Sequence, residues 1–205
     1  MLMRVMGLDE AGRGCVLGPL VVGAFTVELN RIDAIRATGA TDSKKLSAKR
    51  RNALIEPLSE LGSIQLREIT ARQIDAENIN TLEERAFAEL ILAERPDRVI
   101  IDAPCHPRAI GAFVDRLLRA IGYTPELIVE PKADLNYPPC SAASIFAKVR
   151  RDHRIHELGE VGSGYPSDPV TRAWLMGFIE RKEDFPACVR TRWGTIKNLA
   201  QERLL

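Results

Sequence analysis

The chain has 205 residues, of which 45% are hydrophobic and 28% charged, a composition typical of a globular protein with a substantial core. Its 29 Lys and Arg residues nearly balance its 28 Asp and Glu residues, so the net charge of +1 does not by itself predict a polyanionic partner. No apolar run reaches the roughly 20 residues that cross a bilayer, and the N-terminus lacks a signal-peptide hydrophobic region. We therefore expect a cytoplasmic protein that does not associate with membranes.

Hydrophobic periodicity predicts five strands, at residues 3–9, 19–28, 63–69, 98–102 and 127–129. Helices are predicted from Ser47 to a kink or stop at Pro57, from Asn80 to about Glu94, over 110–121, from Ser141 to about Leu158, from Ser167 to about Lys182, and after Arg190. The early strands follow one another directly, which favours antiparallel pairing, whereas the last two flank a helix, which favours a parallel pair. The order predicts an α/β fold with a mixed five-stranded sheet flanked by helices.

A glycine-rich segment, GSGYP at residues 162–166, is the best candidate for a boundary in the chain. It separates a predicted domain over residues 1–161 from a helical C-terminal region over residues 162–205, which we expect to pack on it. The cysteines (Cys15, Cys105, Cys140 and Cys188) are scattered without the paired spacing of a zinc site. They are expected to be small buried hydrophobic side chains in a reducing compartment.

Acidic residues follow three of the predicted strands. Asp9 and Glu10 end the first strand, Asp102 ends the fourth, and Asp134 comes just after the fifth. If the first and fourth strands are neighbours, these acids converge at one rim of the sheet. Two carboxylates at 4 Å repel by about 4 kcal/mol, so such a cluster holds either a proton or cations. Because the ligands are all oxygens, the sequence predicts Mg²⁺ or Mn²⁺, two of which could clamp a phosphodiester.

The turn Gly12-Arg13-Gly14 follows directly after the first two acids. Adjacent residues in a strand point to opposite faces, so Asp9 and Glu10 can share a site only where the strand ends or is bulged. The glycine turn is expected to supply that irregularity. A dinucleotide site is disfavoured, because the glycine spacing is not GxGxxG and the next element is predicted to be a strand.

Six segments, in the order in which the family has them, resemble ribonuclease HII (type 2 ribonuclease H), both its archaeal forms and the catalytic subunit of the eukaryotic type 2 enzyme. They are DEAGRGCVLGPLVVGA (9–24), DSKKL (42–46), IIDAP (100–104), KAD (132–134), SAASIFAKVRRD (141–152) and GSGYPSDP (162–169). The resemblance spans nearly the whole chain and implies a ribonuclease H-like fold. It also implies an endoribonuclease that cuts the RNA strand of RNA–DNA hybrids and the 5′ side of ribonucleotides embedded in duplex DNA. Such an enzyme uses two metal ions and leaves 3′-OH and 5′-phosphate ends.

By the same resemblance, the catalytic and metal-binding acids are Asp9, Glu10, Asp102 and Asp134. Asp152 is an alternative for the fourth acid, since it also lies in a family motif. Asp134 is favoured because Asp152 is predicted to lie mid-helix among arginines, where an intrahelical ion pair is its expected role.

The resemblance also implies which residues bind the substrate. The backbone of the Gly12-Arg13-Gly14 turn would read the 2′-hydroxyl, and Tyr165 would stack on the sugar that follows the ribonucleotide. Residues expected to contact phosphates are Lys44, Lys45, Ser141, Ser144 and Lys148, with a structural role as the alternative for Lys148.

The partners implied are RNA–DNA hybrids and ribonucleotide-containing DNA, and the protein is expected to be a monomer. The C-terminal residues QERLL (201–205) bear a faint likeness to a sliding-clamp tail but lack its paired aromatic residues. Two alternatives stay open: a non-catalytic nucleic-acid-binding module of the same fold, and another ribonuclease H-like nuclease such as a resolvase or integrase core. The second alternative would give no reason for the glycine turn or Tyr165.

Overall fold

A mixed sheet forms the centre of the computed structural model, which describes residues 2–40 and 45–202. Within those residues the strands are β1 (Arg4–Ala11), β2 (Leu20–Glu28), β3 (Ser63–Ile69), β4 (Arg98–Asp102) and β5 (Glu126–Glu130). Their spatial order is β3-β2-β1-β4-β5. β1, β2 and β3 pair antiparallel, while β4 pairs parallel with both β1 and β5. The expected sheet, including the neighbouring first and fourth strands, is therefore confirmed.

Helices cover both faces of this sheet. The α-helices of the described chain are α1 (Ile32–Ala37), α2 (Ala48–Ser59), α3 (Ala71–Ala76), α4 (Ile79–Glu94), α5 (Ile110–Ile121), α6 (Ala133–Asn136), α7 (Pro138–His156), α8 (Pro169–Arg181) and α9 (Gly194–Glu202). No helix in the described part of the chain is long and apolar enough to cross a membrane.

The side chains of β1 alternate between two hydrophobic cores. Met6 and Leu8 pack with α4 and α5 on one face, in a cluster that includes Phe87 and Phe113. Val5 faces the opposite side with residues that precede and begin α7. Because the side-chain period in a strand is two, Asp9 belongs to the α7 face of the sheet.

Helix α7 approaches the sheet closely at Gly7. A Cβ atom at Gly7 would lie 2.1 Å from the backbone carbon of Pro139, so only glycine allows this contact. Small buried residues on α7, such as Ala143 and Ser144, continue the contact along the helix. The consequence is that α6 and the first turns of α7 lie against the end of β1 that carries Asp9.

The C-terminal helices pack on the loop after β1. Val16 and Leu17 from that loop share a buried cluster with Leu175 of α8 and Leu199 of α9. Leu17 also forms an isolated antiparallel bridge with Val189. The boundary expected at residue 162 stays a prediction, but these contacts join the two predicted parts at the glycine turn.

Several element boundaries differ from those predicted. Asn78, and not Asn80, caps α4, since its side chain accepts a hydrogen bond from the Asn80 amide. Helix α7 begins at Pro138 because proline is tolerated in the first turn, where its missing N–H costs nothing. Helix α8 begins at Pro169, for the same reason, with Asp168 as its cap. Helix α2 continues two residues past Pro57, to Ser59.

The short helices α1, α3 and α6 were not predicted. Each has six residues or fewer, too few to display a helical hydrophobic period.

Candidate active site

Three of the predicted acids converge at one rim of the sheet. Asp9, Asp102 and Asp134 each place a carboxylate oxygen so that these atoms all lie within 4.8 Å of one another. Asp9 and Asp134 are buried, with 5% and 4% of their surface exposed, and Asp102 is half-buried. We call these residues the aspartate trio. A buried set of oxygen donors fits a hard divalent cation, because three carboxylates this close need positive charge between them.

Each member of the trio is positioned by a different element. Asp9 and Asp102 lie near the carboxyl ends of β1 and β4, and the parallel pairing of these strands brings those ends to the same rim. Asp134 is carried by α6, which starts after Lys132 in a left-handed conformation with φ of 64°. The Ala133 amide donates to Asp102 Oδ1 at 3.1 Å, and the Ser141 hydroxyl donates to the backbone carbonyl of Asp134. The first bond ties α6 to the end of β4, and the second ties it to α7.

The carboxyl group of Asp9 is in an environment that disfavours its charged form. Burial raises the pKa of its carboxyl well above the usual range, and the charges of Glu10 and Asp102 raise it further. Hydrogen bonds from the Ser144 hydroxyl and, at 2.7 Å, from the Glu10 amide to Asp9 act in the opposite direction. The folded chain thus holds a carboxyl whose charged form is unfavourable without a cation.

Glu10 lies beside the trio and not within it. β1 pairs regularly with β2 up to Ala11, so the expected irregularity begins only at Gly12. Glu10 lines the space between the glycine turn and α7, together with Ser144 and Lys148. Its charge raises the pKa of Asp9, and its amide donates a hydrogen bond to the Asp9 carboxylate.

Asp152 occupies a different environment from Asp134. It accepts hydrogen bonds from Arg51 at 3.1 Å, Lys148 at 2.8 Å and Arg151 at 3.1 Å. This is the ion-paired helical position that its sequence context predicts. The structure thus places Asp134 in the trio and Asp152 in a salt-bridge network on α7.

The glycine turn lies at the end of the same strand. Gly12 has φ of 90°, and a Cβ atom there would lie 2.8 Å from the Pro19 carbonyl oxygen. Gly14 has open space, with nothing within 4 Å of such an atom. The Arg13 guanidinium bends away to bond with Glu83 and Asn80 of α4. The turn therefore exposes backbone at Gly14, while the Arg13 side chain anchors the turn to α4.

A groove of about 210 Å³ runs between the turn and α7. Its lining residues are Glu10, Ala11, Gly12, Arg13, Gly14, Ser144, Lys148 and Tyr165. Tyr165 is 36% exposed, and Lys148 places its ammonium 5.8 Å from the centre of the tyrosine ring. The structure thus brings Tyr165 of the predicted C-terminal region to the glycine turn, as a shared substrate groove requires.

Arg151 and Cys15 were not identified from the sequence as parts of the site. Arg151 is 2% exposed, and it donates to Cys15 Sγ at 2.8 Å and to the Ser163 carbonyl. Its guanidinium also stacks on Tyr165. The sequence offers no signal for this role, because a buried arginine on α7 has the same local pattern as a solvated one.

Among the residues expected to contact phosphates, Ser144 and Lys148 line the groove, whereas Ser141 is buried and bonds to α6. Lys45 is exposed just before α2. Lys44 lies outside the described residues.

Comparison with known proteins agrees with this site. Residues 6–196 match the family model described as Ribonuclease HII. Ribonuclease HII of Thermococcus sibiricus is 40% identical over 210 residues, which cover 98% of this chain and 92% of that protein. The crystal structure of ribonuclease H2 from Pyrococcus horikoshii superimposes with a TM-score of 0.88 at 37% identity, covering 98% of both chains.

Ribonuclease HII in the PCNA:RNase HII complex from Archaeoglobus fulgidus superimposes with a TM-score of 0.85 at 38% identity. The match covers 95% of this chain and 96% of that one. Since the family model and a 40% identical relative both match nearly its full length, the chain belongs to the ribonuclease HII family of ribonuclease H enzymes.

Proposed function

We propose that this ribonuclease H cuts the RNA strand of RNA–DNA hybrids and the 5′ side of single ribonucleotides in duplex DNA. Asp9, Asp102 and Asp134 are proposed to hold Mg²⁺ or Mn²⁺, with Glu10 contributing from the groove side. The observation that carries the proposal is the aspartate trio next to a groove lined by exposed backbone and an aromatic ring.

The cations, when bound by the trio, would supply positive charge to activate a water molecule and to stabilise the leaving oxygen. The protein itself holds the carboxylates that would bind the cations in a fixed orientation. Ser144 orients Asp9, and the Ala133 amide orients Asp102. Because these hydrogen bonds come from the protein itself, they preorganise the carboxylates for the phosphodiester.

Substrate recognition is proposed to occur in the groove. The exposed backbone at Gly14 gives a 2′-hydroxyl, which is both donor and acceptor, access to main-chain partners. Tyr165 offers its ring to the neighbouring sugar, and Lys148 offers a positive charge to the phosphates. Water attacks phosphorus and the upstream 3′-oxygen leaves, so the 2′-hydroxyl serves recognition and is not consumed.

The products provide a direct test of this chemistry. A labelled RNA–DNA hybrid is incubated with Mg²⁺, with Mn²⁺ and with EDTA, and the ends of the fragments are examined. We expect metal-dependent fragments with 3′ ends that a polymerase extends and 5′ ends that a phosphatase alters. Cyclic phosphate ends, or cleavage in EDTA, would contradict the proposal, because both indicate attack by the 2′-hydroxyl.

The non-catalytic alternative makes a different prediction for Asp102→Asn. In the enzyme this substitution abolishes cleavage but preserves binding, whereas in a binding module no cleavage exists to be lost. A generic nuclease of the same fold would cut all-DNA and ribonucleotide-containing duplexes equally.

Binding of a sliding clamp through residues 201–205 is a further proposal, supported by the PCNA complex of the Archaeoglobus fulgidus relative. Residues 203–205 lie outside the described part of the chain. Deleting residues 201–205 is expected to abolish co-elution with a sliding clamp while cleavage of a short hybrid continues. Co-elution that survives the deletion would contradict this assignment.

A further inference from the structure

Arg190 is a buried cation in the C-terminal region whose hydrogen bonds end on the loop after β1. Its side chain is fully buried. Within the described chain its guanidinium donates to the carbonyl oxygens of Gly12 at 2.8 Å, Arg13 at 3.0 Å, and Gly18 at 3.1 and 3.2 Å. Two of these acceptors belong to the glycine turn itself.

The backbone around Arg190 is fixed to the same loop. The Arg190 amide donates to the Val16 carbonyl at 2.9 Å, and the Gly18 amide donates to the Cys188 carbonyl at 2.8 Å. Leu17 and Val189 form the antiparallel bridge between these bonds. On its other side the guanidinium lies 5.0 Å from the centre of the Trp193 ring. Arg190 therefore has a defined position from which to reach the turn.

Burying this cation is costly, which argues against a role in packing alone. Burial, together with the neighbouring charge of Arg151, lowers the pKa of Arg190 to about 10, although Cys15 and Asp75 act in the opposite direction. An apolar side chain of similar volume would avoid that desolvation. A guanidinium offers instead a rigid planar fork of five N–H donors, which can reach three carbonyl oxygens at once.

We propose that Arg190 is a positioning residue for ribonucleotide recognition, holding the carbonyl groups of Gly12 and Arg13 so that the turn presents a fixed backbone surface to the 2′-hydroxyl. This inference rests on the proposed reading of the 2′-hydroxyl by the glycine turn. The C-terminal region would then contribute to substrate selectivity through Arg190 as well as through the ring of Tyr165. Arg190 does not touch the substrate and acts through the turn.

The test measures ribonucleotide preference separately from general DNA affinity. In an Asp102→Asn parent, which binds without cutting, the dissociation constants are measured for a duplex with one ribonucleotide and for the matched all-DNA duplex. Their ratio is the preference. Arg190→Lys keeps the charge but lacks the planar fork, and Arg190→Gln removes the charge. Arg181→Gln is the matched control, because Arg181 lies in the same region but pairs with Glu183 on the surface.

We expect Arg190→Lys to reduce the preference by about tenfold, the loss typical of a misplaced buried hydrogen bond, while all-DNA affinity stays within about twofold. Arg190→Gln should reduce the preference further, and Arg181→Gln should leave it unchanged. Hydrogen exchange of the amides of residues 12–18, measured on Arg190→Lys that retains its cooperative unfolding, should be faster than in the parent.

The outcomes separate this inference from the proposed function. A parent that binds both duplexes equally contradicts the reading of the 2′-hydroxyl, and the inference fails with it. A parent that discriminates, with an Arg190→Lys variant that discriminates equally well, overturns the inference alone. Equal losses of affinity for both duplexes also overturn it, because they indicate a general structural role.

Discussion

The guanidinium of Arg151 lies over the ring of Tyr165, with 4.9 Å between the guanidinium carbon and the ring centre. Arg151 is itself held by Cys15 and by the Ser163 carbonyl, so the ring has a fixed neighbour. Tyr165 also lines the groove beside the glycine turn. An arginine of α7 thus supports a residue of the predicted C-terminal region in this groove.

Tyr165→Ala is expected to lower kcat/KM for a single-ribonucleotide duplex by about tenfold, because the sugar loses its apolar contact with the ring, which is worth about 1.5–3 kcal/mol for a buried apolar side chain. Tyr165→Phe keeps the ring and should remain within about threefold of the parent, since the ring supplies most of the contact. Tyr123→Ala is the matched control, because Tyr123 also stacks on an arginine, Arg95, but lies outside the groove. Equal activity of Tyr165→Ala and the parent would contradict the assignment.

Asp134→Asn and Asp152→Asn should have opposite consequences. Removing a carboxylate from the trio is expected to lower kcat by at least about a hundredfold, since the charge that a bound cation stabilises is lost. Asp152→Asn should retain most of the activity but lower Tm by a few degrees, because Arg51, Lys148 and Arg151 lose an anionic acceptor. If Asp152→Asn were the inactive variant, the fourth acid would have been assigned wrongly.

Gly12→Ala and Gly14→Ala distinguish the effect of the turn on protein stability from its effect on substrate binding. Alanine at Gly12 meets the Pro19 carbonyl at 2.8 Å and must adopt φ of 90°, so both Tm and activity should fall. Alanine at Gly14 meets no atom within 4 Å, so Tm should stay unchanged. Activity of Gly14→Ala should nevertheless fall by about tenfold or more, because the new methyl group stands where the substrate approaches. Full activity of Gly14→Ala would contradict close approach there.

Asp9→Asn is expected to stabilise the metal-free protein while abolishing cleavage. Asp9 is buried near Glu10 and Asp102, so a neutral isostere removes a charge that is unfavourable without a cation. In EDTA, Tm should rise by about 2–4 °C for each kcal/mol gained. Excess Mn²⁺ should raise the Tm of the parent but not that of Asp9→Asn. The control is Asp33→Asn, whose side chain is 92% exposed. A lower Tm for Asp9→Asn in EDTA would contradict this account of the trio.

The stabilising contribution of Asp168 should be complete above its unfolded pKa and should be lost as the pH falls below that value. Its carboxylate accepts hydrogen bonds from Ser163 at 2.5 Å and from the Val170 amide at 2.9 Å, which lower its pKa from 3.8 to about 2. Because the folded value is the lower one, the stabilisation is complete above 3.8 and disappears as the pH falls towards 2. In unfolding curves between about pH 5 and pH 3, Asp168→Asn should lose stability less steeply than the parent. Parallel slopes would contradict this role of Asp168.

The sheet and the trio could be predicted because their signals are local. Apolar runs mark β1 and β4, and each strand carries an aspartate near its carboxyl end. Once the two strands pair in parallel, Asp9 and Asp102 lie close together. Asp134 could be assigned to the trio because it follows β5 closely in the sequence. The family motifs added the glycine turn and Tyr165.

The buried arginines could not be predicted from the sequence. Arg151 and Arg190 are both fully buried, although nothing in the neighbouring sequence distinguishes them from solvated arginines. What encloses Arg190 is the pairing of residues 16–18 with 188–190, a contact distant in sequence that no local pattern encodes. Likewise, nothing near Arg13 in the sequence indicates that its side chain turns towards Glu83.

The most direct test of the account is cleavage of a labelled DNA duplex that contains a single ribonucleotide, alongside the matched all-DNA duplex, with Mg²⁺, Mn²⁺ or EDTA. We predict one metal-dependent cut on the 5′ side of the ribonucleotide, no cut in the all-DNA duplex, and no cut with Asp102→Asn. Equal cutting of both duplexes would contradict recognition of the 2′-hydroxyl by the groove, and cutting in EDTA would contradict a cation held by the aspartate trio.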